Sequence, residues 1–343
     1  MKNLLLLAAF TYVVGAAVGT RAQEPGGSVT GPVNFDQPRH KIEFSISPFI
    51  TKGFGSTKWV MEETGYIDTG IIGTVKSELD YPLNSLYGGF ELRLGSDPTA
   101  FKDWLVKLTV GTNLNHPSNV MKDHDWVNIQ GGFHGKISYT ESRVRMSSLL
   151  ESLDGHLTLA RNGRSRFGLV GGIQYQHFYQ KLYDLVGWQL RDTVERVDSS
   201  LYQDRLVGTY RITYLMPNVG LFGRIQSSAA TSAELRGAFA VSFVSDEDFH
   251  LMRNRIATAS GVGFGFMGAV KLRIAPGQRD RGTHPFFELE SDFLLVKASP
   301  TQTIYWYGND PIAPGDETGS SVRVSHHITS KQGHITARVG LSF

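Results

Sequence analysis

The chain has 343 residues, a formal net charge of +2, 38 glycines and no cysteine. The near-neutral balance carries no nucleic-acid footprint, and the absence of cysteine excludes both a disulfide scaffold and a lipid-anchored lipoprotein. An exported chain of this size then needs another source of stability, and a closed β-barrel supplies one because every strand edge is paired.

The first element is a leader. Lys2 precedes an apolar run from Leu4 to Ala17, and Thr20-Arg21-Ala22 has the small-x-small form of a cleavage site. The run is too short and wrongly flanked for a spanning helix, so residues 1–22 read as a signal peptide. Residues 23–40, rich in Gly and Pro, read as an N-terminal tail. No later stretch reaches the roughly 18 apolar residues of a membrane helix, so membrane residence must use strands.

From residue 41 to the end, period-2 alternation recurs. The predicted strands are 41–60, 75–95, 102–120, 141–161, 166–183, 204–226, 233–246, 256–275, 285–305 and 326–343. In 104–114, Trp104, Val106, Leu108 and Val110 share one face, and Lys107, Thr109 and Asn113 the other. In 234–243, Leu235, Phe239, Val241 and Phe243 oppose Glu234, Arg236 and Ser242. In 335–343, Ile335, Val339, Leu341 and Phe343 oppose Thr336, Arg338 and Ser342. Short breaks near 96–101, 162–165, 227–232 and 276–284 alternate with longer polar segments near 61–74, 121–140, 184–203, 246–255 and 306–325, as short periplasmic turns alternate with longer outer loops. A terminal Phe343 on an apolar last strand resembles the signal read by the barrel assembly machinery. The expected fold is therefore all-β: one transmembrane antiparallel up-and-down barrel of about ten long strands over 41–343. The expected location is the outer membrane of a Gram-negative bacterium.

Two acidic clusters stand out. Asp123-His124-Asp125-Trp126 follows the third predicted strand, and Asp246-Glu247-Asp248-Phe249-His250 the seventh. Both belong at the outer rim, on strands nearly opposite in a ring of about ten. In extended chain, residues i and i+2 share a face, so Asp123 points with Asp125 and Asp248 with His250. A carboxylate beside a histidine orients the ring and stabilises its charged form. Two carboxylates opposite can hold and polarise a water, which makes a nucleophile for amide hydrolysis without metal or covalent intermediate. The alternatives are solvated loop acids and, less naturally for so carboxylate-rich a set, a metal site. Gly261-Val262-Gly263-Phe264-Gly265 lacks the following helix of a phosphate loop and reads as structural glycine. His326-His327 reads as a rim pair.

These clusters resemble the omptin family of outer-membrane aspartyl proteases, which carries an Asp-x-Asp-Trp segment and an Asp-x-Asp-x-His segment in this order. Ser77-Glu78-Leu79-Asp80-Tyr81, Thr140-Glu141-Ser142-Arg143 and Met216-Pro217-Asn218-Val219-Gly220-Leu221 add weaker echoes. The resemblance implies Asp248 and His250 as an Asp–His dyad with His250 the general base. Asp123 and Asp125 match the couple that helps hold the catalytic water, and Asp246 an acid of the pocket for a basic substrate residue. It implies an exposed peptide or protein as substrate, an active site facing the exterior, no metal or other cofactor, and a requirement for lipopolysaccharide on the outer wall. Arg211 matches a lipid contact there, whereas Ile173, Tyr175 and His177 stand where that patch has other residues. The pocket's second acid, expected near Thr57 and Lys58, is not evident, and Thr140 replaces an Asp of the family. The other reading is a catalytically inactive barrel of the same architecture, serving as adhesin, receptor or structural protein. A lipid-modifying barrel hydrolase would want a Ser–His pair on the outer wall, and a narrow porin is testable by conductance.

Overall fold

The computed structural model describes residues 42–68, 71–96, 103–190, 194–197, 199–228, 230–276, 283–311 and 316–343; side chains 65–68, 71 and 72 are not described. The expected leader and tail lie outside the described residues. The strands are β1 (Ile42–Asp68), β2 (Ile71–Pro82), β3 (Leu86–Ser96), β4 (Trp104–Asn113), β5 (Met121–Ile129), β6 (His134–Asn162), β7 (Ser165–Leu190), β8 (Val194–Arg196), β9 (Leu206–Gln226), β10 (Thr231–His250), β11 (Arg255–Ile274), β12 (His284–Ala298), β13 (Thr301–Trp306) and β14 (Ser321–Ser342). The pairs β2/β3, β4/β5 and β12/β13 are each one stave interrupted by a short break, and β8 is an arm on β7. Ten staves therefore form the ring, each antiparallel to its neighbours. β14 pairs with β1 from Ser45↔Ser342 to Met61↔His326, which closes the ring, so that each described stave has a partner on both sides.

Several staves are longer than the sequence predicts. Segments 61–74, 121–140 and 184–190, expected as outer loops, are largely strand. Strand β10 runs on to His250, and the expected loop 246–255 shrinks to one 3-10 turn, Leu251–Arg253, closed by Asn254 at φ 48°. The reason is physical. Above the lipid both faces of a stave meet polar surroundings, so the apolar alternation that marks a strand fades while its backbone pairing continues.

The outer wall carries an apolar belt. Leu235 (63% exposed), Phe239 and Phe243 on β10, Phe264, Phe266 and Val270 on β11, and Val339 and Leu341 on β14 all face outward. At about 3.3 Å per residue and a tilt of about 40°, the exposed stretch of β10 covers roughly the height of a bilayer core. The alternate residues face the lumen, and there the charges are paired. Arg93 binds Glu91 and Glu288; Arg338 binds Glu290 at 2.7 Å; Arg236 binds Glu290 at 2.6 Å; Lys271 binds Glu234 at 3.2 Å. Two cavities of about 150 and 120 Å³ remain against this layer, one beside Arg236, Glu290 and Arg338 and one beside Arg93, Lys271 and Glu288. Charges removed from bulk water are tolerable only when paired in this way.

Toward the end of the barrel opposite Ile42 and Ser342, an apolar plug replaces the ionic layer. Leu79, Tyr81, Met121, Tyr210, Ile212, Tyr214, Val244, Val296 and Ile328 converge inside the ring, all 5% exposed or less. The plug is the floor on which the two acidic clusters sit.

Candidate active site

The sequence Ser245-Asp246-Glu247-Asp248-Phe249-His250 lies within β10, so its alternation sends Asp246, Asp248 and His250 to the lumen and Glu247 and Phe249 outward. Phe249 stacks on Tyr307 at 5.2 Å between ring centroids on the outer side. On β5, Met121 joins the plug, so Asp123 and Asp125 share its inward side. His124 faces out, stacks on Trp126 and meets Lys136 Nζ at 2.8 Å. A register shift between Asp125 and Trp126 ends the regular alternation there. Both clusters are thus strand residues held by pairing on both sides.

The two clusters meet across the lumen. His250 Nε2 lies 2.6 Å from Asp248 Oδ2, and Asp248 is almost wholly buried. With the Nε2 proton given to this carboxylate, Nδ1 is the basic nitrogen of the neutral ring. Asp125 Oδ2 accepts a hydrogen bond from Ser138 Oγ at 2.5 Å. One oxygen of Asp123 is buried with no hydrogen-bond partner among the described residues. Burial, then the carboxylates of Asp125 and Asp248, push the Asp123 carboxyl well above the ordinary carboxylate range, against the pull of Arg255 and Arg253. Crowded carboxylates cannot all ionise, and this one is held toward its protonated form.

Beneath lie two tyrosines that sequence reasoning passed over as strand aromatics. Tyr81 and Tyr210 stack face to face at 3.7 Å, fully buried. Tyr81 Oη faces the Asp248 carboxylate, and Tyr210 Oη is buried with no hydrogen-bond partner among the described residues. Burial, and then Asp248 above Tyr81 and Asp246 above Tyr210, push both phenols well above their ordinary value. Neutral phenols in the floor present donors to the acidic cluster and exclude water from below.

Asp246 is placed differently from its neighbours. It is buried, and its Oδ2 lies 3.2 Å from Nε2 of His326, which is 0% exposed and meets the Trp59 ring edge-on at 4.9 Å. The sequence reading of His326 as a rim residue is corrected here: β14 begins at Ser321, and His326 has the lumen-facing parity of Gln332, Thr336 and Arg338. Extending that parity backward is the signal that could have found it. Thr57, at the position examined for a second pocket acid, is also buried and holds Tyr214 Oη at 3.2 Å and Ser330 Oγ at 3.0 Å.

Arg255 also escaped the sequence reading. It opens β11, paired in register with His250 and with the lumen-facing parity of Ala257 and Lys271. Its Nε is buried without a hydrogen-bond partner among the described residues. Burial, then Arg253, lower its basicity, while Asp248, Asp310 and Asp123 support its charge. Arg253 is committed to Asp310 at 2.8 Å.

Arg211 sits outside the ring. It packs over Tyr179 and lies 3.7 Å from Glu247. Lys181 also approaches Tyr179, and Arg143 and Arg145 flank Tyr183, so staves β6, β7 and β9 share a basic, aromatic outer surface above the belt.

No known family profile and no curated protein matches the sequence. Among solved structures, the chain is similar to the outer-membrane protease OmpT from Escherichia coli, with a TM-score of 0.65 at 13% identity over 88% of this chain and 97% of that one. OprG from Pseudomonas aeruginosa (12% identity, 89% of this chain, 97% of that one) and the translocator domain of NalP from Neisseria meningitidis (7%, 99% and 95%) superpose with a TM-score of 0.31 each and carry no argument. The chain has the fold of an outer-membrane β-barrel of the OmpT kind.

Proposed function

We propose that the protein is an outer-membrane endopeptidase that hydrolyses exposed peptide bonds by activating water. The observation that carries this reading is the His250–Asp248 pair at 2.6 Å, in the same barrel mouth as an Asp123 carboxyl that interacts with both Asp125 and Asp248. His250 Nδ1 takes the proton of a water held between it and the Asp couple. Asp248 stabilises the imidazolium that forms. Asp123, held toward its protonated form, offers a hydrogen bond to the developing oxyanion. The proton on His250 then passes to the leaving amine. The resemblance of the Asp-x-Asp-Trp and Asp-x-Asp-x-His segments to omptins supports the same roles.

Partners follow from this reading. The apolar belt suits lipid, and Phe343, exposed beside Phe44, suits recognition by the assembly machinery. Arg211 and its basic, aromatic neighbours suit the phosphates of lipopolysaccharide. Incubating the refolded barrel with a diverse peptide library and lipopolysaccharide, then mapping products by mass spectrometry, tests the activity. His250→Ala and Asp123→Asn are each expected to lower turnover by about 100-fold or more while the barrel stays folded. Unchanged turnover in both variants would falsify the assignment. The commitment of Asp246 to His326 favours the second reading, a non-catalytic barrel acting as adhesin, receptor or structural protein. Inertness toward the whole library would establish that one.

A further inference from the structure

A mouth that accepts lysine or arginine needs carboxylates left over for it. The lumen face of β5 and β10 presents four, of which two are hydrogen-bonded, one is crowded by its neighbours and one is sealed off. Asp248 holds His250 at 2.6 Å, and Asp125 accepts from Ser138 at 2.5 Å. Asp123 is crowded by Asp125 and Asp248. Asp246 is sealed under the mouth against His326 at 3.2 Å, with Trp59 against that ring. Thr57 contributes no charge, and its hydroxyl is taken by Tyr214 and Ser330.

Among these acids stands a cation with an unsatisfied donor. Arg255 stands beside His250 in register on the next stave, and forms no ion pair within 4.0 Å among the described residues. Its buried Nε has no acceptor among them. A buried guanidinium N–H without an acceptor is expensive, and the group's planar fork matches a carboxylate in a bidentate manner. Arg253, the other cation of this turn, is neutralised by Asp310 at 2.8 Å.

We propose that Arg255 is a specificity residue, and that the site takes peptides bearing an acidic side chain next to the bond presented to His250, in preference to basic ones. The proposal rests on the endopeptidase reading for the position of the bond; the preference for acidic peptides rests on Arg255 and on the Asp246–His326 pair. A substrate carboxylate supplies the acceptor that Arg255 Nε lacks, whereas a substrate ammonium brings no acceptor and a second positive charge.

The test uses the full-length refolded protein and three synthetic peptides that differ only in a central Glu, Ala or Lys. Each is measured for cleavage by mass spectrometry and for binding by fluorescence anisotropy. The Glu peptide is expected to bind, and to be cut, about ten-fold better than the Lys peptide, the size of one charge-assisted contact. Arg255→Gln is expected to bring the Glu-to-Lys ratio to about one, and Arg255→Lys to restore part of it. His326→Gln, which removes the partner of Asp246, is expected to raise binding of the Lys peptide. Cleavage with equal or better use of Lys overturns this inference and leaves the endopeptidase reading standing. Binding selective for Glu with no cleavage overturns the endopeptidase reading and leaves the acidic preference standing. Failure of all three peptides to bind overturns both.

Discussion

At the scale of single residues, the mouth stores electrostatic strain in Asp123. Its carboxyl titrates above the ordinary range because burial and two neighbouring carboxylates disfavour its charge. The native state therefore binds this proton more tightly than the unfolded chain does. The stability it contributes is fully present below the unfolded value of roughly 3.9, and is lost as pH rises through the higher native value. Asp123→Asn removes that loss. The variant is expected to unfold at a higher temperature than the parent at about pH 7.5, with the difference shrinking as pH falls toward about 4. Thermal unfolding in detergent micelles, followed by circular dichroism across that range, checks it. A gap that stays constant with pH would mean that this carboxyl is not strained in the folded protein. The same residues were only partly legible from sequence. Spacing alone marked Asp123, Asp125, Asp248 and His250, because i and i+2 share a face in any strand. Asp246 has the same spacing, yet its partner His326 lies three strands away, on β14, and no spacing rule reaches that far.

At the scale of elements, β1 shows how backbone geometry outranks composition. Gly55 has φ 109°, and a Cβ built there would lie 2.0 Å from the carbonyl oxygen of Lys331 on β14. Only glycine fits a positive φ with so close a neighbouring strand. Gly55→Ala is expected to destabilise the barrel by about 1–3 kcal/mol, measured as a lower midpoint in urea. Strand existence was readable wherever one face meets lipid and the other the lumen, as on β10 and β11. Strand length was not. Residues 121–129 break up their apolar residues with Lys122, Asp123, His124, Asp125 and Asn128, so neither face is continuously apolar, yet β2 on one side and β6 on the other hold them extended. The pairing partners decide such segments, and they lie outside any local window.

At the scale of the whole molecule, two layers of different physics share one ring. The lower half is apolar outside and ionic inside; the upper half is polar outside with an apolar plug beneath an acidic mouth. An outward arginine should therefore act according to its height. Phe239→Arg, in the belt, is expected to lower folding stability in lipid vesicles by about 2–4 kcal/mol. Tyr305→Arg, 43% exposed on the outer face of β13 above the belt, is expected to change it little. Equal effects at both positions would deny the belt its contact with lipid.

The sequence by itself determined the fold class, because a period of two with one lipid-compatible face recurs from residue 42 to the last residue and a closed ring is the only way to satisfy every such strand. It also determined which four acid–base residues are candidates, since alternation sets their shared direction. Only the tertiary structure decided what those residues confront. Asp246 against His326, Arg255 beside His250, and the tyrosine floor are relations among staves joined through the lumen or across a pairing register. Such contacts depend on the closure of the ring, which no local pattern in the chain encodes.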